Sequence, residues 1–303
     1  MFLGIDWGGT YIKAGVVNAS GRLLSRQVFS SQGFTAKENF IAKVCELVEK
    51  NKKFSIQAVG IGAPGLVNVK KGFIYYLPNI PGWKNFPIQG ALREKVKLPV
   101  YVDNDANVFA LAESLLGEAK FASRVIFLTL GTGLGGAVVL DGKILEGEVS
   151  ASELGHFPIA LSGRRCGCGG EGCVETFVGI RYLLDRYKQL KPGAGAKEVR
   201  EIFLAARLKE KAALQVWREF SLALGKFLSG MINVFNPEII VLGGGVAGAL
   251  PVFRPMLKNV IKNQAMWPMA GKVKIVRARL ANAGLVGAAI MAKQRLAGIK
   301  NGC

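Results

Sequence analysis

Short apolar runs separated by tight glycine turns dominate the start of the chain. Phe2 to Asp6 and Ala14 to Asn18 predict two strands flanking a Gly-Gly turn, and Arg22 to Phe29 predicts a third. From Lys37 to Lys50 the period changes, with Phe40, Val44, Leu47 and Val48 at helical spacing. Ala58 to Ile61 is the next apolar run, followed by the loop GAPGLVN. Val100 to Val102 then runs straight into NDANVFALAESLLG. This segment predicts a helix with Val108, Phe109, Leu111, Ala112 and Leu115 inward and Gly117 as its stop.

A new unit begins near Ser123. VIFLTLGTGLGGAVVLDGKIL repeats the plan of FLGIDWGGTYIKAGVVNASGRLL: strand, Gly/Thr-rich turn, strand, Gly turn, then a basic residue with Leu or Ile. A duplicated domain explains this, and so does chance similarity between two amphipathic hairpins. Farther on, Leu214, Trp217, Phe220, Leu224, Phe227, Met231 and Phe235 form one stripe of a long helix that Asn236-Pro237 ends. Glu238 to Leu242 predicts a buried strand feeding Gly243-Gly244-Gly245, and a final helix is expected from about Ala283 to Leu296. Alternating strands and helices argue for α/β construction. The expected lobes are 1–118, completed by about 283–303, and 119–282.

The length of 303 residues accommodates two domains, and the 50% apolar and 20% charged content describes a globular chain. No apolar run approaches the roughly 20 residues needed to span a bilayer, and MFLGIDWGGT lacks the features of a secretory signal. A cytoplasmic protein with reduced thiols and no membrane partner is expected. Lys plus Arg number 40 against 21 Asp plus Glu, a net charge of +19 that attracts polyanions. The basic residues are scattered and no nucleic-acid motif accompanies them, so a nucleic-acid partner is not expected.

Three glycine turns each follow an apolar strand. Glycine brings backbone N–H groups close to an anion and admits positive φ angles. The first turn, Asp6-Trp-Gly8-Gly9-Thr10, adds a carboxylate suited to hydrated Mg2+ and a hydroxyl suited to a phosphate oxygen, with Lys13 nearby. The second, Gly131-Thr132-Gly133-Leu-Gly-Gly136, offers another hydroxyl. The third, Gly243-Gly244-Gly245, would let a flat adenosine approach the backbone. No Walker A loop and no convincing dinucleotide fingerprint occurs, so the pattern points to nucleotide binding on another scaffold.

Asp105, in VDNDAN at a strand-to-helix junction, is the candidate general base, although Asp103, Asn104 or Asp105 could equally cap the helix. Cys166, Cys168 and Cys173 lie in RCGCGGEGCVE, and the single histidine, His156, lies just upstream in ELGH. Three thiolates and one imidazole make a tetrahedral Zn2+ set. A disulfide is disfavoured because C-x-C is a strained spacing, and plain packing because the loop is Gly-rich and flanked by Arg. Metal on one ring nitrogen of His156 would leave the other to address a ligand.

The motifs DWGGT, GIGAPGLVN, LPNIPGW, VDNDAN, LTLGTGLGG, ELGH, CGCGGEGCVE and VLGGG occur in the order and at the spacing of the ROK family of sugar kinases, which the chain resembles over almost its whole length. The resemblance implies an actin-like ATPase, ribonuclease H-like fold of two lobes, with ATP and sugar in a central cleft. It implies Asp105 as base and Asn79, Asn104, Glu153, His156 and Glu175 as sugar-hydroxyl ligands. It also implies Asp6, Gly9, Thr10, Thr132 and Gly133 as the phosphate and magnesium group. An ATP-dependent kinase acting on a hexose 6-hydroxyl is therefore expected, with glucose as acceptor or else N-acetylmannosamine, N-acetylglucosamine or fructose. The expected assembly is a homodimer or homotetramer.

Two positions depart from the family pattern. Ser152 stands before Glu153 where a Gly is usual, and Val178-Gly179 replaces a Ser-Gly pair. ROK repressors are a second class, but they carry an N-terminal helix-turn-helix, and this chain begins five residues before Asp6. A polyphosphate-dependent glucokinase would suit the basic charge, though such enzymes generally lack this cysteine motif.

Overall fold

The computed structural model describes residues 1–78, 80–193 and 195–301. Two compact units account for the chain: 1–121 with 144–152 and 279–303, and 122–143 with 153–278. Residues 144–152 thus join the first unit out of sequence order, as the C-terminal segment does.

The first unit contains β1 (Phe2–Trp7), β2 (Tyr11–Val17), β3 (Gln27–Ser30), α1 (Lys37–Lys50), β4 (Ala58–Ala63), β5 (Leu66–Asn68), β6 (Phe73–Tyr76), β7 (Lys84–Phe86), α2 (Ile88–Val96), β8 (Val100–Asn104) and α3 (Asp105–Leu116). Its main sheet has the order β3-β2-β1-β4-β8, antiparallel through the first three strands and parallel from β1 onward. The expected strand from Arg22 forms only from Gln27. The Val16 amide donates to the Ser25 hydroxyl at 3.2 Å, so a side chain takes the place of a ladder carbonyl.

The C-terminal helix, Ala283–Asn301, extends past its expected end and lies directly on this sheet. Its small residues Ala288, Ala289 and Ala292 are buried. A Cβ on Gly60 of β4 would collide with the Ala288 carbonyl, one on Gly4 of β1 with the Leu285 carbonyl, and one on Gly287 with the Val108 carbonyl of α3. Helix and sheet therefore meet backbone to backbone. In α3, Val108, Phe109 and Ala112 are buried as expected, but Leu111 is half-buried and Leu115 exposed. Glu113 is instead fully buried, its carboxylate accepting the Glu118 amide at 3.0 Å and the Leu280 amide at 2.8 Å.

The second unit contains β9 (Val125–Leu130), β10 (Leu134–Leu140), β11 (Lys143–Ile144, at the boundary, its last residue counted with the first unit), α4 (Glu175–Val178), α5 (Ile180–Leu190), α6 (Val199–Arg207), α7 (Lys211–Phe235), β12 (Ile239–Gly243), α8 (Leu250–Gln264), α9 (Met269–Lys272) and β13 (Lys274–Arg277). Its sheet order, β11-β10-β9-β12-β13, reproduces that of the first, with an antiparallel hairpin followed by parallel strands. A shared five-strand topology favours duplication over two chance hairpins. Trp217, Phe220, Leu224, Phe227 and Met231 of α7 form the buried stripe, with Leu214 and Phe235 partly covered at its ends. Asn236 stops the helix in a left-handed conformation, φ 44°.

Glu219 ties α7 to α5. It takes Arg186 Nε and a second guanidinium nitrogen at 2.7 Å each, Tyr182 Oη at 2.9 Å and Gln215 Nε2 at 3.0 Å. The Arg186 guanidinium holds its carboxyl down at about 2.

Gly60→Ala is expected to destabilise the protein by roughly 1–3 kcal/mol or more, because the clash is with backbone. Gly90→Ala in α2, where a Cβ meets nothing within 4 Å, should gain about 0.5–1 kcal/mol; denaturant unfolding checks both. A carboxyl whose folded pKa is depressed stabilises above its unfolded pKa and loses that contribution as pH falls. Wild type should exceed Glu219→Gln by roughly 1–3 kcal/mol at neutral pH. The difference should fade as pH drops from the ordinary 4.5 toward 2, as pH-dependent unfolding would record.

Candidate functional site

In the first unit, β8 delivers Asp103, Asn104 and Asp105 to the start of α3, and the three carboxyl and amide groups do different work. Asn104 is the helix cap: its φ of −68° and ψ of 147° are extended, and its Oδ1 accepts the Ala106 amide at 2.8 Å. Its Nδ2 donates to the Gly65 carbonyl at 3.1 Å, leaving one amide hydrogen for another acceptor. Asp103 is buried, accepting the Asn104 amide and Asn107 Nδ2 through Oδ1 and facing Arg295 of the C-terminal helix at 3.4 Å through Oδ2. Burial pushes its pKa up, against the hydrogen bond from Asn107 and the charge of Arg295. Asn104 is thus the cap, and Asp105 stands in the first helical turn, where its Oδ1 shares the Ala106 amide at 2.8 Å and the N–H groups of the helix start favour a carboxylate.

The Asp6 to Thr10 turn closes the β1–β2 hairpin. Gly9 and Thr10 are exposed, and the Ser31 hydroxyl braces the Gly8 carbonyl at 2.6 Å. Burial raises the Asp6 pKa, with Lys13 pulling it back across 3.4 Å. A Cβ on Gly284 would lie 2.6 Å from Asp6 Cγ. The N-terminal turn of the C-terminal helix thus approaches this carboxylate, and its dipole favours the anion.

In the second unit, the Gly131 to Gly136 turn closes the β9–β10 hairpin, with Thr132 exposed. Glu175 Oε2 accepts the Leu134 amide at 2.9 Å, and a Cβ on Gly133 would overlap that oxygen. Its other oxygen lies 3.8 Å from Cys166 Sγ. Glu153 sits close to Glu175 in charge terms: burial, followed by repulsion from Glu175, pushes its pKa up to about 7. Gly243 ends β12 beside Thr129, and Gly244 has φ 80° with no space for a Cβ against the Leu130 carbonyl. Gly245 meets nothing within 4 Å.

The ligand atoms of His156, Cys166, Cys168 and Cys173 lie within 4.8 Å of one another. His156 Nδ1 is 3.4 Å from Cys166 Sγ, and Cys168 Sγ is 3.7 Å from Cys173 Sγ. A tetrahedron with metal–sulfur bonds of about 2.3 Å and metal–nitrogen bonds of about 2.0 Å has edges of about 3.8 Å between sulfurs and about 3.5 Å between sulfur and nitrogen. The observed spacings fit a single tetrahedral metal ion and are too long for an S–S bond. Backbone bonds shape the loop: the Cys166 amide donates to Gly170 at 2.8 Å, Ile159 to Gly172 at 2.9 Å and Val174 to Phe157 at 2.9 Å. Cys173 and Cys166 are buried, and burial drives the Cys173 thiol up to about 12. The Gly170 amide instead lowers Cys168. The ring nitrogen that faces the cysteines is Nδ1, a choice the sequence left open.

The structure thus brings Glu153, His156, Glu175, Thr132 and Gly133 into one unit with the cysteines, and Asp6, Lys13, Asn104 and Asp105 into the other. Asn79 lies outside the described residues. Sequence reading missed Arg295 as the partner of Asp103, and Ser150, whose hydroxyl bonds the Val67 amide at 2.9 Å. Neither belongs to a motif, so only the folded backbone reveals them.

The sequence pattern of the ROK family matches residues 2–295. The chain is 32% identical to the glucokinase of Thermotoga maritima, covering 98% of each sequence. It is also 32% identical to an N-acetyl-D-glucosamine kinase of Salmonella paratyphi B, over 96% of this chain and 99% of that one. A crystal structure of a ROK family glucokinase from Streptomyces griseus, in complex with glucose and AMPPNP, superposes with a TM-score of 0.85 at 32% identity over 97% and 99% of the two chains. The fold is accordingly the actin-like ATPase fold.

Proposed function

We propose that this chain, which belongs to the ROK family, is an ATP-dependent kinase that phosphorylates the 6-hydroxyl of a hexose, with glucose as its acceptor. The observation that carries the reading is an end-to-end likeness to glucokinases in a chain whose second unit gathers Glu153, His156 and Glu175, three side chains suited to binding hydroxyls, around one four-ligand cluster. N-acetylglucosamine remains a competing acceptor because a kinase for it is equally similar.

Phosphoryl transfer to a sugar asks for positioning, charge neutralisation and a group that takes the hydroxyl proton. Asp105 takes that proton, its ionised form favoured by about 0.3–1 kcal/mol at the start of α3. Asn104 holds the loop beside it and offers its remaining amide hydrogen to the sugar. Glu153, His156 and Glu175 hydrogen-bond ring hydroxyls, and Asn79 joins them. Such a set rejects substrates lacking the hydroxyls, because buried polar groups would be left unpaired. The Gly8 to Thr10 and Thr132–Gly133 turns present backbone amides and hydroxyls to the phosphates, Lys13 adds positive charge, and Gly243 to Gly245 lie against adenosine. Bound Mg2+ neutralises phosphate charge, and Asp6 is the carboxylate suited to hold it.

The His156, Cys166, Cys168 and Cys173 cluster is suited to structural Zn2+, which supplies rigidity rather than phosphoryl chemistry. With Nδ1 committed to the cluster, His156 carries its proton on Nε2 and donates toward a sugar hydroxyl.

An ATP-consumption assay across hexoses and N-acetylhexosamines should show turnover, highest on glucose, and Asp105→Asn should lower kcat by about 10²- to 10⁴-fold. No turnover on any sugar, or an undiminished Asp105→Asn rate, would refute the reading. Metal analysis should find one zinc per chain, and Cys168→Ser should lose zinc and most sugar phosphorylation together. Full activity in a zinc-free Cys168→Ser protein would rule out the supporting role.

A further inference from the structure

The C-terminal helix buries a stripe of small and apolar side chains, among them Ala288, Met291 and Ala292. Seven residues past Ala288 and three past Ala292, Arg295 falls on the same stripe. A cation thus stands where an apolar residue would pack, its side chain only 27% exposed. A charge so placed is unfavourable unless partners hold it.

Two partners on different elements do so. Arg295 Nη2 donates to Asp103 Oδ2 at the end of β8 at 3.4 Å, and Nη1 donates to the Val69 carbonyl, just past β5, at 3.3 Å. The Arg295 charge opposes burial and the Glu146 carboxylate, both of which push the Asp103 pKa up. A buried ion pair adds little net stability, because well-packed apolar residues of the same volume often do as well. What the pair does is better sought in what Asp103 holds.

Asp103 grips the chain on both sides of Asp105. Its Oδ1 accepts the Asn104 amide at 2.7 Å on one side and Asn107 Nδ2 at 2.8 Å on the other. The segment that carries Val69 is the second support, since the Gly65 carbonyl near its start accepts Asn104 Nδ2 at 3.1 Å. One guanidinium therefore joins both supports of the turn that opens α3. Arginine suits this task because its planar fork reaches two acceptors at once, whereas lysine offers a compact point charge.

We infer that Arg295 is a positioning residue for Asp105: by holding Asp103 and the Gly65 to Val69 segment together, it sets the orientation in which Asp105 accepts the sugar proton. The role rests on the hexose kinase reading above. Arg295 acts through Asp103 and requires no contact with substrate.

The test is steady-state kinetics of wild type, Arg295→Gln, Arg295→Lys, Asp105→Asn and the Arg295→Gln/Asp105→Asn double variant, with unfolding measured on each. Arg295→Gln should lower kcat by about ten- to a hundredfold, while KM for ATP and for the sugar changes by less than about threefold. Arg295→Lys restores the charge beside Asp103 without the two-point fork and should recover part of that loss. In the Asp105→Asn background no base is left to orient, so Arg295→Gln should lower kcat by less than about threefold further. A near-wild-type kcat in Arg295→Gln, or a loss confined to KM, would overturn the inference. So would a full multiplicative loss in the Asp105→Asn background, the mark of general loosening of the first unit. Should Arg295→Gln be unfolded at the assay temperature, the same cycle built on Arg295→Lys decides by the same criteria. A wild type that turns over no hexose would instead defeat the kinase reading, and this inference with it.

Discussion

The backbone-to-backbone seating of the C-terminal helix on the first sheet is the contact from which the first unit's chemistry is arranged. Gly4 and Gly60 make it possible, since any Cβ there would meet a main-chain carbonyl of the helix, and Gly287 lets the same helix approach α3 in the same way. Once seated, the helix brings Gly284 against Asp6 and Arg295 against Asp103, while the segment before it sends the Leu280 amide to Glu113. Three carboxylates, two of them in or next to the candidate phosphate and proton-transfer residues, take their surroundings from one packing event. A larger residue on the sheet side would therefore disturb chemistry as well as stability.

A comparable economy governs the second unit. Glu175 spans two features that the sequence presents separately, the Gly131 to Gly136 turn and the His/Cys cluster, with one oxygen on the Leu134 amide and the other beside Cys166. Gly133 is small because that carboxylate occupies the space a side chain would need. On the proposed reading, a metal held by His156 and the three cysteines would fix Glu175 and, through it, the geometry of the Gly131 to Gly136 turn. Metal loss is expected to loosen both.

The hairpins, the long helix α7 and the cysteine–histidine motif were legible in the sequence because each is written in local period or spacing. The repeated hairpin plan foreshadowed the two sheets, whose identical strand order makes duplication the better account. What sequence could not supply depends on distant partners. Glu113 is buried because amides from 118 and 280 reach it, and no helical stripe encodes that. Strand β3 starts late because the Ser25 side chain intercepts one amide. Ser152 stood out as a departure from the usual glycine, yet its strain and its orphaned hydroxyl exist only in the folded backbone.

The account stands or falls on where the phosphate goes. Two-dimensional proton–phosphorus NMR of the product formed from ATP and glucose measures this directly. Transfer to O6 predicts that the product phosphorus couples to the two C6 protons of the sugar. Coupling to the anomeric proton, or a phosphorus signal belonging to inorganic phosphate alone, would contradict it.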